Sequence, residues 1–109
     1  MKRPVEKLLD DMIQAAEVAD EIVRRGRERF QADPVAQFGA EAVVGRIGDA
    51  ASKLPEEVRA LMPAIPWKEI IGFRIVVHHA YHRLDYGRVW NTLQYDIPRL
   101  RAAIERYRG

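Results

Sequence analysis

The sequence predicts an all-α fold, an antiparallel bundle of about five helices. Apolar residues recur at spacings of three and four along most of the chain, which is the period of an amphipathic helix. Prolines and turn-forming residues separate these periodic segments, and no segment shows the apolar–polar alternation of a strand. At 109 residues the chain is expected to form a single domain over residues 1–109.

The first helix begins near Pro4, a residue that suits the first position of a helix. Arginines follow its apolar segment, where cations complement the C-terminal end of a helix dipole. Asp33 then precedes Pro34, so that Asp33 is expected to cap the second helix. The apolar positions that define the first helix are Val5, Leu8, Leu9, Met12, Ile13, Ala16, Ile22 and Val23.

The second helix is expected over residues 34–53, followed by a short helix from Pro55 to about Met62. The second helix contains three glycines, Gly39, Gly45 and Gly48. Glycine lowers helix propensity, but it lets another helix approach closely. We therefore expect a neighbouring helix to pack on this one.

A fourth helix is expected from near Pro66 to roughly Arg83, and residues 84–87 carry a turn signal. The fifth helix extends to Tyr107 and contains Pro98, which should kink or restart it. Asp96 is available as a cap for the restarted helix.

Composition restricts the classes of function. Hydrophobic residues make up 48% and charged residues 31%, a normal balance for a soluble globular domain. The net charge is only +2, so a nucleic-acid site must be local, and 14 arginines against 4 lysines suit planar pairing with phosphate or carboxylate. The absence of cysteine excludes disulfides and thiolate catalysis. Without an apolar signal core or a run long enough to span a bilayer, we expect a cytoplasmic protein with no membrane partner.

Residues 74–81 combine a cation, imidazoles and a phenol within about two helical turns. Arg74 is suited to bidentate binding of a phosphodiester. His78 and His79 can transfer protons near neutral pH. This segment is the candidate catalytic region, with Tyr81 at its end.

At 100° per residue the fourth helix has two apolar faces. Phe73, Val76, Val77, Ala80 and Leu84 cluster on the face expected to meet the core. A second stripe, formed by Trp67, Ile71 and Ile75, points away from the core centre. Because a small domain has no further core to cover such a stripe, we expect it to form the interface of a homodimer.

The polar residues flank this second stripe. Arg74 and Tyr81 lie on one side and His79 on the other, whereas His78 shares the face of Arg74. Arg74 and His79 therefore do not converge on one ideal helix. Two copies of the chain would bring these flanks into one composite cleft.

Purely structural roles are the alternative for each of these residues. Arg74 could pair with Glu69 or Asp85, and Tyr81 could be a half-buried aromatic. The glutamates near the motif form no carboxylate–histidine ligand pattern, and the chain has no Gly-rich phosphate loop. We therefore expect neither a metal nor a cofactor.

The motif Arg74-x4-His79-x-Tyr81 resembles the signature of the HepT-like ribonuclease toxins of the HEPN superfamily. The segment Pro63-Ala-Ile-Pro-Trp-Lys-Glu-Ile-Ile-Gly-Phe-Arg74 and the final helix around Trp90 are also similar to this family. The resemblance extends from near Ile47 to Leu100.

The resemblance implies a homodimeric HEPN domain that acts as a metal-independent endoribonuclease toxin on RNA. It also implies a type II pair with a cognate nucleotidyltransferase-fold antitoxin. Arg74 and His79 then carry RNA cleavage, with His78 as the alternative imidazole. Tyr81 is the tyrosine that the partner can block by transferring AMP.

One position departs from the family pattern. The residue after the motif arginine is usually polar, often Asn or Asp, and here it is Ile75. This leaves open a catalytically inactive dimeric module that binds a nucleotidyltransferase partner or RNA without cleaving it.

Overall fold

The computed structural model describes residues 3–109 and is predominantly helical, with no strand in that range. The all-α prediction is confirmed. The elements in chain order are α1 (Val5–Arg24), α2 (Arg27–Ala32), α3 (Pro34–Lys53), α4 (Glu56–Ala60), α5 (Trp67–His79), a 3₁₀ turn (Tyr81–Arg83), α6 (Tyr86–Asn91), a π-helical turn (Thr92–Asp96) and α7 (Ile97–Arg108).

The helices enclose one apolar core. Helix α3 packs against both α1 and α5, and α7 lies along α1. Arg108 at the end of α7 donates to the Glu6 carbonyl oxygen at 2.8 Å and to Asp10 Oδ1 at 2.7 Å, so α7 and α1 are antiparallel. The largest fully buried side chains are Phe30, Leu9, Met12, Leu93, Leu100, Ile104 and Val89.

Glycine ends the first helix earlier than its arginine-rich sequence suggests. Gly26 has a φ of +97°, a left-handed conformation that side chains disfavour, and the chain turns there into the short helix α2. This turn directs Phe30 into the core, where its ring lies 6.0 Å from Tyr86 and 5.4 Å from Trp90, centroid to centroid.

The predicted cap of α3 is confirmed. Asp33 Oδ1 accepts a hydrogen bond from the Val35 backbone N–H at 2.9 Å, with Pro34 in the first turn. The hydrogen bond from Arg29, together with the one from Val35, holds the pKa of Asp33 below its usual value.

The structure differs from the sequence prediction near residue 85. The break in helical structure is confined to residues 84–85 and α6 already starts at Tyr86, because Asp85 Oδ1 accepts hydrogen bonds from the N–H groups of Gly87 and Arg88 at 2.8 and 3.4 Å. This is an N-cap, for which Asp is well suited.

Pro98 perturbs the last helix in a different way from the one predicted. The proposed Asp96 cap is wrong, because Asp96 has helical dihedral angles and its side chain makes no capping bond. The chain passes through the π turn Thr92–Asp96 instead. A wider turn accommodates a proline that lacks an N–H and would crowd the carbonyl four residues earlier.

Helix α5 is shorter than the predicted fourth helix. It ends at His79, and Ala80 leaves helical geometry with φ −135° and ψ 35°. Phe73 and Val77 are buried as predicted, whereas Val76 is 36% exposed at the edge of the core face. Ala80 and Leu84 are half-buried because they lie beyond the regular helix. No helix among the described residues has the length and hydrophobicity needed to cross a membrane.

Candidate active site

Helix α5 lies on α3 at two glycines. A Cβ atom on Gly48 would lie 2.5 Å from the Cβ of Arg74 and 3.2 Å from the Ile70 carbonyl oxygen. A Cβ on Gly45 would lie 2.6 Å from Nε2 of His78. Both glycines allow the close approach that the sequence predicts for them, and α3 and α5 are antiparallel at this contact.

The contact places Arg74 and His78 side by side. They are four residues apart on α5 and rest on glycines three residues apart on α3, so they project from neighbouring turns of both helices. This agrees with the helical period, which puts His78 on the face of Arg74. A guanidinium and an imidazole thus share the surface where the two helices meet.

Arg74 pairs with α3 rather than with its own region of the chain. Its Nη1 lies 3.5 Å from Asp49 Oδ1 and 3.3 Å from Ser52 Oγ. The predicted partners Glu69 and Asp85 are therefore wrong. The Arg74 side chain is 26% exposed, so it is partly accessible to solvent.

His79 lies about 100° further round α5 than His78 and is exposed at the last position of the helix. His82, in the 3₁₀ turn, is also exposed. The imidazoles of His78 and His79 consequently face different directions. Within one chain, it is His78 that lies beside Arg74.

Tyr81 is 66% exposed in the 3₁₀ turn, with its ring edge-on to His82 at 5.9 Å between centroids. Its predicted helical-wheel angle is wrong, because α5 ends two residues earlier. The alternative of a half-buried aromatic is also wrong, because most of the side chain is exposed.

Tyr86 has a different environment from Tyr81. Its hydroxyl donates to Glu41 Oε2 at 2.7 Å, and this bond together with partial burial raises the pKa of Tyr86 to about 12. Nothing in the local sequence singles out Tyr86, because its partner, Glu41, lies on another helix.

The second apolar stripe of α5 is only partly covered. Ile75 is 50% exposed and Ile71 is half-buried. Trp67 is also half-buried, and its indole N–H donates to the carbonyl oxygens of Arg59 and Met62 at 3.0 and 3.1 Å. Trp67 therefore anchors the start of α5 within the chain, whereas Ile75 presents its side chain outward.

Asp49 and Ser52 are the site residues that sequence reasoning missed. Nothing in the local pattern of α3 marks them, since both are polar residues on an exposed helix face. Their proximity to Gly48 is what indicates them, because the close approach of a second helix at this glycine brings Arg74 within reach of both residues. Among residues 3–109 there is no group of three or more His, Asp or Glu side chains arranged to hold a metal ion.

Comparison with known proteins identifies the family. Residues 12–107 match the family model described as "Ribonuclease HepT-like". The "Probable ribonuclease HepT" of Thermococcus cleftensis is 34% identical over 109 residues, which cover 99% of each chain. A "Putative RNase" of Caldanaerobacter subterraneus is 33% identical over 106 residues, covering 96% of this chain and 94% of the relative.

A "Putative RNase" of Methanocaldococcus jannaschii is 30% identical over 109 residues, covering 96% of this chain and 88% of the relative. No solved structure shows significant similarity to the chain. The chain belongs to the HepT-like ribonuclease family of helical HEPN domains. RNA is accordingly the class of substrate on which this family acts.

Proposed function

We propose that this protein is a metal-independent endoribonuclease that acts in the cytoplasm as the toxin of a type II toxin–antitoxin pair. The observation that carries the proposal is the juxtaposition of Arg74 with an imidazole on the α3–α5 surface. A guanidinium and an imidazole are sufficient for phosphodiester transfer in RNA, because the substrate supplies its own nucleophile.

Arg74 binds the scissile phosphate and stabilises the negative charge that develops on its oxygens. An imidazole accepts the proton of the 2′-OH as the 2′-oxygen bonds to phosphorus. The bond from phosphorus to the 5′-oxygen breaks, and that oxygen takes a proton from an imidazolium or water. The products are a 2′,3′-cyclic phosphate and a free 5′-hydroxyl.

Two histidines are candidates for the imidazole. His79 corresponds to the histidine of the family motif, and His78 is the one beside Arg74 within a single chain. A homodimer through Trp67, Ile71 and Ile75 would reconcile the family motif with the single-chain geometry, because it would bring His79 of one copy towards Arg74 of the other. The half-exposed Ile75 side chain supports an interface on this face.

Neutralisation is proposed to come from a cognate nucleotidyltransferase-fold antitoxin that transfers AMP to Tyr81. The 66% exposure of Tyr81 supports this, since its hydroxyl is open to a partner's active site. An added phosphodiester places negative charge near the site, where it repels RNA. Incubation with the partner and ATP should add the mass of AMP to Tyr81. Tyr81→Phe should remove that gain, whereas Tyr95→Phe, at another exposed tyrosine, should not.

Ile75 favours a second candidate function, a dimeric module that binds the partner or RNA without cleaving it. An aliphatic residue next to Arg74 cannot orient an imidazole or a phosphate by hydrogen bonding. The two functions differ in whether RNA is broken, which a direct assay decides.

The test is inducible expression of wild type, Arg74→Ala, His78→Ala and His79→Ala, with growth and RNA integrity as readouts. Purified protein is assayed in parallel with and without EDTA, and the RNA ends are examined for cyclic phosphate. Growth arrest and EDTA-resistant cleavage that depend on Arg74 and one histidine are expected. Intact RNA with wild type would support the inactive module instead, whereas cleavage unchanged in Arg74→Ala would exclude Arg74 from the proposed mechanism.

A further inference from the structure

We infer that Asp49 and Ser52 of α3 are positioning residues that hold the Arg74 guanidinium by one nitrogen and leave its opposite edge free for the RNA phosphate. The inference rests on the proposed function, because it assigns Arg74 a phosphate to bind. It extends the site from α5 to a second helix.

Both contacts meet on the same nitrogen of Arg74. Nη1 lies 3.5 Å from Asp49 Oδ1 and 3.3 Å from Ser52 Oγ, and neither Nε nor Nη2 donates a hydrogen bond to these two residues. Guanidinium donors form a rigid planar fork, so fixing one nitrogen also fixes the direction of the others. The Nε–Nη2 edge remains for the bidentate contact that phosphate geometry favours.

Ser52 is oriented to accept rather than to donate. Its hydroxyl donates its only proton to the Asp49 carbonyl oxygen at 2.7 Å, which leaves its lone pairs for Arg74. Lys53 Nζ contacts Asp49 Oδ2 at 2.9 Å, which leaves the other carboxylate oxygen, Oδ1, on the side of Arg74. Both acceptors are therefore arranged by α3 itself, independently of α5.

Gly48 completes this cradle for Arg74. Its missing side chain lets the Arg74 Cβ approach α3 so closely that the guanidinium reaches Asp49, the next residue, and Ser52, one turn further along that helix. Without these contacts the long arginine side chain would sample several rotamers, and the phosphate-binding edge would lose its fixed direction.

Asp49 also carries a negative charge beside the proposed phosphate position. Removing it should therefore have two opposite effects: poorer orientation, which lowers kcat, and weaker repulsion, which increases RNA affinity. Ser52 contributes orientation without charge. Only Asp49→Ala should therefore gain RNA affinity while it loses kcat, a combination that a general loss of structure would not produce.

The experiment compares Ser52→Ala, Ser52→Thr, Asp49→Ala and Arg74→Ala in RNA cleavage. It also measures binding to a 2′-O-methyl RNA, which lacks the nucleophile. Glu17→Ala, which removes an exposed carboxylate from α1, controls for the change in net charge. Circular dichroism checks that each variant is folded.

Ser52→Ala and Asp49→Ala should lower kcat about ten-fold or more, since small errors in placing a catalytic group are costly. Ser52→Thr, which keeps a hydroxyl, should restore most of the rate. Asp49→Ala should bind the 2′-O-methyl RNA about five-fold more tightly at low salt, and the gain should shrink as salt rises. Glu17→Ala should match wild type in both assays.

Unchanged kcat in Ser52→Ala and Asp49→Ala, with cleavage still dependent on Arg74, would overturn the inference and leave the proposed function standing. If the wild type does not cleave RNA, the proposed function fails and the binding assay decides the inference. Equal affinity of wild type and Asp49→Ala, or a gain that persists when Arg74 is also replaced by Ala, would then overturn it.

Discussion

Gly48 and Arg74 approach each other so closely that any side chain at position 48 would collide with the arginine. A Cβ there would lie 2.5 Å from the Arg74 Cβ, well inside van der Waals contact. The position of the proposed phosphate-binding group thus depends on the absence of one methyl group on a neighbouring helix.

Gly48→Ala should destabilise the protein by about 1–2 kcal/mol, because overpacking outweighs the gain in helix propensity. It should also reduce RNA cleavage, since α5 must shift away from Asp49. Gly39→Ala on the same helix is the matched control, because its nearest neighbour, Ile22 Cδ1, would lie at an ordinary 3.6 Å. Thermal unfolding measures both variants. Equal stability of the two would contradict the close approach of α5.

Gly45→Ala should distinguish the two candidate imidazoles. The new methyl group displaces the His78 ring, whose Nε2 lies 2.6 Å from the Cβ position, but does not reach His79 on the other flank of α5. Because the displaced group is the end of a side chain, stability should change by no more than about 1 kcal/mol. Lower cleavage with normal folding identifies His78 as the acting imidazole, and unchanged cleavage identifies His79.

The proposed dimer predicts the effect of a charge in the α5 stripe. Ile71→Asp should yield monomer or aggregate by light scattering, because an unpaired charge in an interface costs several kcal/mol, about 3–5. Ile75→Asp tests the same interface at a half-exposed position that contributes little to the fold. Val18→Asp, on the exposed face of α1, should leave the assembly unchanged. If Ile75→Asp has the same oligomeric state as the wild type, Ile75 does not lie in the interface.

Tyr86 should make stability depend on alkaline pH. Its pKa is raised from 10.0 to about 12, so its contribution is fully present below about pH 10 and is lost as pH rises towards 12. Tyr86→Phe should cost about 1 kcal/mol at neutral pH, the net value of a lost hydrogen bond. The deficit should shrink as pH rises from about 10 towards 12.

Urea unfolding of wild type and Tyr86→Phe between pH 7 and 12 checks this dependence. Tyr95→Phe, at a position that is 53% exposed, corrects for the titration of other groups. A deficit that stays constant across this range would show that the Tyr86–Glu41 hydrogen bond does not cause it.

The sequence by itself determined what depends on short-range order. Helical periodicity gave the all-α class, Asp33-Pro34 gave a correctly placed cap, and Phe73 and Val77 were assigned to the core. The motif residues and their shared helix were also evident, and so was the family, because these features are local in the chain.

Tertiary structure decided where the elements end and which residues meet across helices. Helix α5 stops at His79, which periodicity does not reveal, because the pattern of apolar residues continues beyond it. Arg74 pairs with a residue 25 positions away, Asp49, rather than with Glu69 or Asp85. Packing of α5 on the glycines of α3 selects that partner. Such a contact depends on the relative position of two helices, and a helical period describes only one helix at a time.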